Sequence, residues 1–240
     1  MKKTIYTNTK ILFVFFIFLL LAKSNIAQVY LDQIGNPING EAAEDRSGNS
    51  ISSSNDGHTI AIGAYFNDGN GSNSGHVRVY EWNGTSWVQK GLDLNGEAAD
   101  DLSGFSVSIS ANGNIVAIGA PNNDGNGSNA GHTRVYGWNS SSWIQLGADI
   151  NGEAANDGFG TSVALSDDGL TLAVGATGND GNGASSGHVR AFTWNGTAWI
   201  QKGIDINGES ADDLSGGAVS LNSDGSILAI GATSKNPLIV

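Results

Sequence analysis

An all-β fold of β-propeller type is predicted by three observations. The tripeptide Asn-Gly-Glu begins at Asn39, Asn95, Asn151 and Asn207, and so recurs at a constant 56-residue step. Gly-His at Gly75, Gly131 and Gly187 keeps the same step, as do Trp82, Trp138 and Trp194 and then Trp87, Trp143 and Trp199. A constant period with no gap means one supersecondary unit stacked on copies of itself. Within each unit the apolar residues alternate or run briefly between glycine-rich breaks. No stretch after Ala27 carries a helical period. Four antiparallel strands per unit make a propeller blade, whose apolar face is covered only by the next blade. A stacked β-solenoid is the competing fold, but its repeats are shorter and lack hairpin turns at this spacing.

The elements follow in order along the second copy. Ser106-Val107-Ser108-Ile109-Ser110 alternates as a half-buried strand does. Ala111-Asn112-Gly113-Asn114 supplies a tight turn around Asn-Gly. Ile115 to Ala120 is apolar with small residues, which suits a crowded second strand, and a glycine-rich loop follows from Asn122 to Gly131. His132 to Trp138 alternates again, Asn139 to Ser142 turns the chain, and Trp143 to Leu146 makes a short fourth strand. Val107, Ile109, Val116 and Ile118 are the expected core, with Val163, Leu165, Leu172 and Val174 as counterparts. Full repeats cover residues 39–94, 95–150 and 151–206. Residues 28–38 read as a lone closing strand, and residues 207–240 as a partial repeat holding strands one and two. About three and a half blades fall short of the usual ring of about four to eight. A partial or truncated propeller, a short four-bladed ring and a self-associating arc are the three expectations.

Composition narrows the function. The 240 residues are enough to bury a core, and 35 of them are glycine. Cysteine is absent, which excludes disulfides, thiolate metal sites and a cysteine nucleophile. Residues 1–27 read as a secretory signal peptide: Lys2, Lys3 and Lys10 precede a twelve-residue apolar run from Ile11 to Ala22, too short to cross a bilayer. No later run is apolar enough to span one. After Ala27 the chain holds seven basic against 23 acidic residues, a balance of −16. Binding to nucleic acid is therefore not expected.

Two groups of side chains are candidate sites. Asp93, Asn95, Glu97 and Asp101 place oxygen ligands at relative positions 1, 3, 5 and 9, a spacing that can curl around a Ca2+ ion. The pattern returns as Asp149, Asn151, Glu153 and Asp157 and as Asp205, Asn207, Glu209 and Asp213, while Pro37 replaces the leading Asp in the first copy. A solvated acidic connector with Asx turns is the plainer reading. Trp82 with Trp87, Trp138 with Trp143, and Trp194 with Trp199 bracket a turn, where aromatic faces can stack on sugar rings or simply pack across strands. His76, His132 and His188 each precede an arginine by two residues. One histidine per blade keeps them apart, so they are expected to serve structure, bonding with Arg78, Arg134 and Arg190 to acidic neighbours from an adjoining loop. No nucleophile–base pair, phosphate loop or metalloprotease motif is present, so no enzyme is expected.

The run Phe159-Gly160 through Gly175-Ala176 resembles an FG-GAP repeat, and Gly119-Ala120-Pro121 carries the whole second half of its signature. Ser103 and Ser215 stand where Phe159 stands. The resemblance implies a propeller like that of integrin alpha chains, and a likeness to secreted repeat proteins of Bacteroidetes. It departs from integrins at the hairpin Ser166-Asp167-Asp168-Gly169, which is too short for their calcium loop. The expected function is a secreted or cell-surface, non-enzymatic binding or adhesion module for an extracellular protein or glycan. A multivalent lectin using the Trp pairs is the alternative.

Overall fold

The computed structural model describes residues 32–234. The chain divides into two compact units, Met1–Ile34 and Gly35–Val240. Of the first, residues 32–34 are described and have no regular secondary structure. The signal peptide expected over residues 1–27 lies outside the described residues. So does part of the closing strand expected over 28–38, whose described part forms no strand.

Among the described residues of the second unit every regular element is a strand. The first blade holds β1 (Ser50–Ser53), β2 (Thr59–Ala64), β3 (His76–Trp82), β4 (Trp87–Gln89) and β5 (Leu94–Asn95). The order is β1-β2-β3-β4, all antiparallel, with β5 also on β3. The second blade repeats this with β6 (Ser106–Ile109), β7 (Ile115–Ala120), β8 (His132–Trp138), β9 (Trp143–Gln145) and β10 (Ile150–Asn151). The third uses β11 (Phe159–Leu165), β12 (Thr171–Ala176), β13 (His188–Trp194), β14 (Trp199–Gln201) and β15 (Ile206–Asn207). A fourth sheet has β16 (Ser215–Leu221) on β17 (Leu228–Ala232). Among the described residues, three blades and part of a fourth thus form an array of sheets that does not close. The two-residue strands β5, β10 and β15 go beyond the four strands expected per unit. They are too short to carry a period, and they exist because the chain returns along the third strand after Gly91, Gly147 and Gly203.

The first strands of successive blades lie against one another, β1 on β6, β6 on β11 and β11 on β16. One apolar cluster joins blades one and two through Ala61, Val77, Val79, Ile109, Val116 and Ile118. Another joins blades two and three through Ala117, Val135, Phe159, Val163, Leu172 and Val174. Seven of the eight expected core residues are buried, and Val107 packs half-buried against the first cluster.

Each seam is also a backbone contact. Ser50, Ser106 and Ser162 donate their hydroxyls to the carbonyls of Gly104, Gly160 and Gly216 in the next blade, each at 2.7 Å. The hairpin tips are tied in series: the Asn55 amide donates to Ala111 O, Ala111 to Asp167 O, and Asp167 to Ser223 O, at 3.0, 2.9 and 2.9 Å. Along this series one repeat length separates each donor from its acceptor, so a constant period keeps the hairpin tips in register.

Candidate functional site

The Asn-Gly-Glu connector leaves one blade along its third strand and is gripped by an arginine on the third strand of the next. Arg78 donates from Nη2 to Asn39 O at 2.8 Å, and Arg134 does so to Asn95 O at 2.7 Å. Arg190 makes the same bond to Asn151 O. The other guanidinium nitrogen faces the connector glutamate: Arg78 Nη1 is 3.6 Å from Glu41, Arg134 Nη1 3.4 Å from Glu97, and Arg190 Nη1 3.7 Å from Glu153. The arginines are buried because their planes lie over Tyr80, Tyr136 and Phe192. The histidines sit on the same strand face, two residues back, each 1% exposed. The acidic neighbours expected for these His–Arg pairs are thus the connector glutamates.

The carboxylate on the histidine's other side has no counterpart in the sequence reading. Asp93 lies 4.0 Å from His76 Nδ1, and Asp149 lies 3.9 Å from His132 Nδ1. The result is one Glu–His–Asp group per blade: Glu41, His76 and Asp93; Glu97, His132 and Asp149; Glu153, His188 and Asp205. The glutamate comes from the connector before the blade, whereas the histidine and aspartate belong to the blade itself. A search for ligands close in sequence could not find this group, because its members are set apart by whole strands and loops. The signal available was that all three share the repeat step.

The residues expected to wrap calcium do not converge. Asp93 turns to His76, and Glu97 turns forward to His132 and Arg134. Asp101 is buried and its Oδ2 accepts the amides of Glu97 and Ala98 and the Asn123 side-chain amide. Asp157 and Asp213 cap the following connectors in the same way. Asn95 and Asn151 give their carbonyls to Arg134 and Arg190. Asn207 pairs with His188 in the β15 ladder, and Asp149 and Asp205 accept from Gln145 and Gln201. The connector folds around its buried, capping aspartate, whose Oδ2 is spent on backbone and side-chain amides, while the other carboxylates point to different blades.

The tryptophans form cross-strand pairs, with ring centroids 5.4, 5.3 and 5.5 Å apart. Each pair covers a glycine in the preceding exit segment. A Cβ on Gly91 would lie 2.8 Å from both Trp138 and Trp143, and one on Gly147 would lie 3.0 Å from Trp194. Trp143 Nε1 donates to Lys90 O at 2.7 Å, and Trp199 Nε1 to Leu146 O at 3.0 Å. Trp143 is buried, and the other five are half-buried. This is packing at the seam, with five of the six rings still partly exposed.

Burial, and then the charge of Arg134, push the His132 imidazole down to about 4. Burial also lowers His76 and His188. An unfolded histidine takes its proton near ~6.5. Between that value and about 4 the unfolded chain therefore binds a proton that folded His132 refuses, so stability is lost as pH falls through that window. The groups facing the ring are Arg134, which disfavours the charge, and Glu97, Asp149 and Asp101, which favour it. Urea unfolding midpoints are expected to drop from pH 6.5 toward 4, with a flatter profile in His132→Gln. An NMR titration of the ring is expected to centre near 4.

Repeated blades of antiparallel strands, each of the first three holding the connector before it with a buried arginine, define a propeller-type repeat protein. A family model described as FG-GAP repeat matches residues 39–80, 92–136 and 151–192, more than half of the chain. The chain belongs to the FG-GAP repeat family. Each matched segment runs from the connector to the third strand, so Trp87, Trp143 and Trp199 fall outside it. No curated protein matches the chain by sequence. Among solved structures, the chain is similar to a protein from Bacteroides uniformis assigned as a 6-phosphogluconolactonase, with 13% identity and a TM-score of 0.49. That match covers 75% of this chain and 46% of the other, so the chain spans less than half of that protein's length.

Proposed function

We propose that the chain is a secreted or cell-surface, non-enzymatic binding or adhesion module that engages an extracellular protein along its blade edges. FG-GAP repeats are typical of extracellular and cell-surface proteins. One observation carries the reading. Among the described residues, the fourth strand of each of the three full blades pairs only with the third, and its central residue is an exposed aliphatic side chain: Val88 at 49%, Ile144 at 50% and Ile200 at 51%. Soluble proteins usually protect an edge with charge or proline. Three unprotected edges with a β-branched aliphatic residue at the same register suit an extended peptide added as a further strand. Three equal sites on one scaffold multiply a weak contact into avidity. The packed Trp pairs favour a protein partner over a glycan.

The test immobilises the chain against a displayed library of random twelve-residue peptides and, in parallel, a glycan array. Peptides with alternating apolar residues are expected to be enriched. The triple variant Val88→Lys, Ile144→Lys, Ile200→Lys is expected to lose at least tenfold in retention while its urea midpoint stays unchanged. Glycan binding that disappears in Trp87→Ala with Trp143→Ala, and no peptide enrichment, would replace this reading with a lectin. Turnover of a substrate would overturn the non-enzymatic part.

A further inference from the structure

We propose that each Glu–His–Asp group is a binding site for a divalent transition-metal ion of the zinc type, three in this chain, each joining a blade to the connector that precedes it. The geometry is most complete around His132. Its Nδ1 lies 3.8 Å from Glu97 Oε2 and 3.9 Å from Asp149 Oδ2. Those gaps are too long for hydrogen bonds, and Nδ1 has no hydrogen-bond partner although the side chain is 1% exposed. His188 Nδ1 is likewise buried without a partner, 4.0 Å from Glu153 Oε2. A buried polar atom left unpaired is costly, and one aimed between two carboxylates has a use if a cation sits there. Zinc holds nitrogen and oxygen ligands at about 2.0–2.2 Å, so two ligands of one ion stand somewhat over ~3 Å apart. The observed gaps need to shorten by only about half an ångström to reach that spacing.

Each carboxylate already has one oxygen committed and the other turned to the imidazole. Arg134 Nη1 faces Glu97 Oε1, leaving Oε2 toward His132. Gln145 donates to Asp149 Oδ1 at 2.7 Å, leaving Oδ2 toward His132. Gln89 and Gln201 hold Asp93 and Asp205 by the same oxygen, at 2.6 and 2.7 Å. Outer partners that orient ligands in this way are characteristic of built metal sites. Charge agrees: a neutral imidazole, two carboxylates and one guanidinium leave a single negative charge, at a seam of a chain whose net charge is −12. The Glu97 and Asp149 side chains are 44% and 30% exposed, so an ion has a path in from solvent.

The donor set chooses the ion. One imidazole nitrogen with two carboxylate oxygens suits zinc and its first-row neighbours, whereas calcium takes about six to eight oxygens. This ligand set shares Asp93, Glu97, Asp149, Glu153 and Asp205 with the calcium pattern read from sequence, but divides them among different ions and adds the histidines.

The full chain is dialysed against 10 μM Zn2+ in 2 mM Ca2+ at pH 7.5, and bound zinc is counted by mass spectrometry. Three ions per chain are expected, undiminished by calcium. His76→Ala, His132→Ala and His188→Ala should each remove one, and the triple variant all three. Asp149→Asn keeps the side chain's shape at a half-buried position, and should weaken the middle site at least tenfold even if His132→Ala fails to fold. His58→Ala, at an exposed histidine outside the groups, should leave the count at three. Fewer than one ion per chain, or a count that neither the triple variant nor Asp149→Asn lowers, would overturn the proposal.

Discussion

Gly119→Ala is expected to destabilise the chain by about 3 kcal/mol or more, although it adds a single methyl group. Gly119 lies near the end of the second strand of blade two and faces the backbone of blade three. A Cβ there would lie 2.0 Å from Gly160 O and 2.4 Å from Ser106 Oγ. Neither atom can step aside alone, because Ser106 Oγ donates to that same carbonyl at 2.7 Å. Gly63 against Gly104 and Gly175 against Gly216 repeat the contact, at 2.1 and 2.0 Å. Gly119 is not among the residues of left-handed backbone, so the cost is one of close approach rather than conformation. Gly84→Ala separates the two effects: its φ is +95° but nothing lies within 4 Å, so it should cost only about 1–2 kcal/mol. Urea denaturation of both variants checks the contrast, and equal losses would show that the seam can widen to admit a side chain.

Phe159→Ala is the second large effect expected, a loss of about 3–5 kcal/mol. Phe159 is fully buried in the cluster that joins blades two and three. Its ring meets Phe192 edge-on, with centroids 6.3 Å apart, and the Arg190 guanidinium lies 4.3 Å over its face. Truncation leaves a cavity and removes the apolar surface on which a buried cation rests. Phe159→Leu, which refills most of the volume, should recover more than half of the loss. Calorimetric or urea midpoints decide this. A cost below about 1 kcal/mol would mean that this seam can adopt the packing its sister repeats reach with Ser103 and Ser215 at this position.

The blade was legible because its signals are local. The expected strands Ile115 to Ala120 and His132 to Trp138 match β7 and β8 residue for residue, and Asn112-Gly113 turns the chain between β6 and β7. Alternation and turn chemistry act over a few residues, so a single sequence displays them. The candidate sites were less legible. The acidic spacing of Asp93, Asn95, Glu97 and Asp101 suggested one ion, yet the chain reverses along β5 and sends Asp93 back and Glu97 forward. The same reversal makes the histidines, distant from one another, neighbours of carboxylates from two different connectors.

By itself, then, the sequence determined the unit and its company: a β-blade of fixed length, too thin to hold a core alone, that must be covered by its own copies. Only the tertiary structure decided what the polar residues of the connector do. The glutamates find their partners in the next blade, held by backbone contacts between glycines and serines, while the leading aspartates turn back to their own. Which carboxylate meets which arginine or histidine depends on how two sheets are stacked, and spacing along one chain does not encode that.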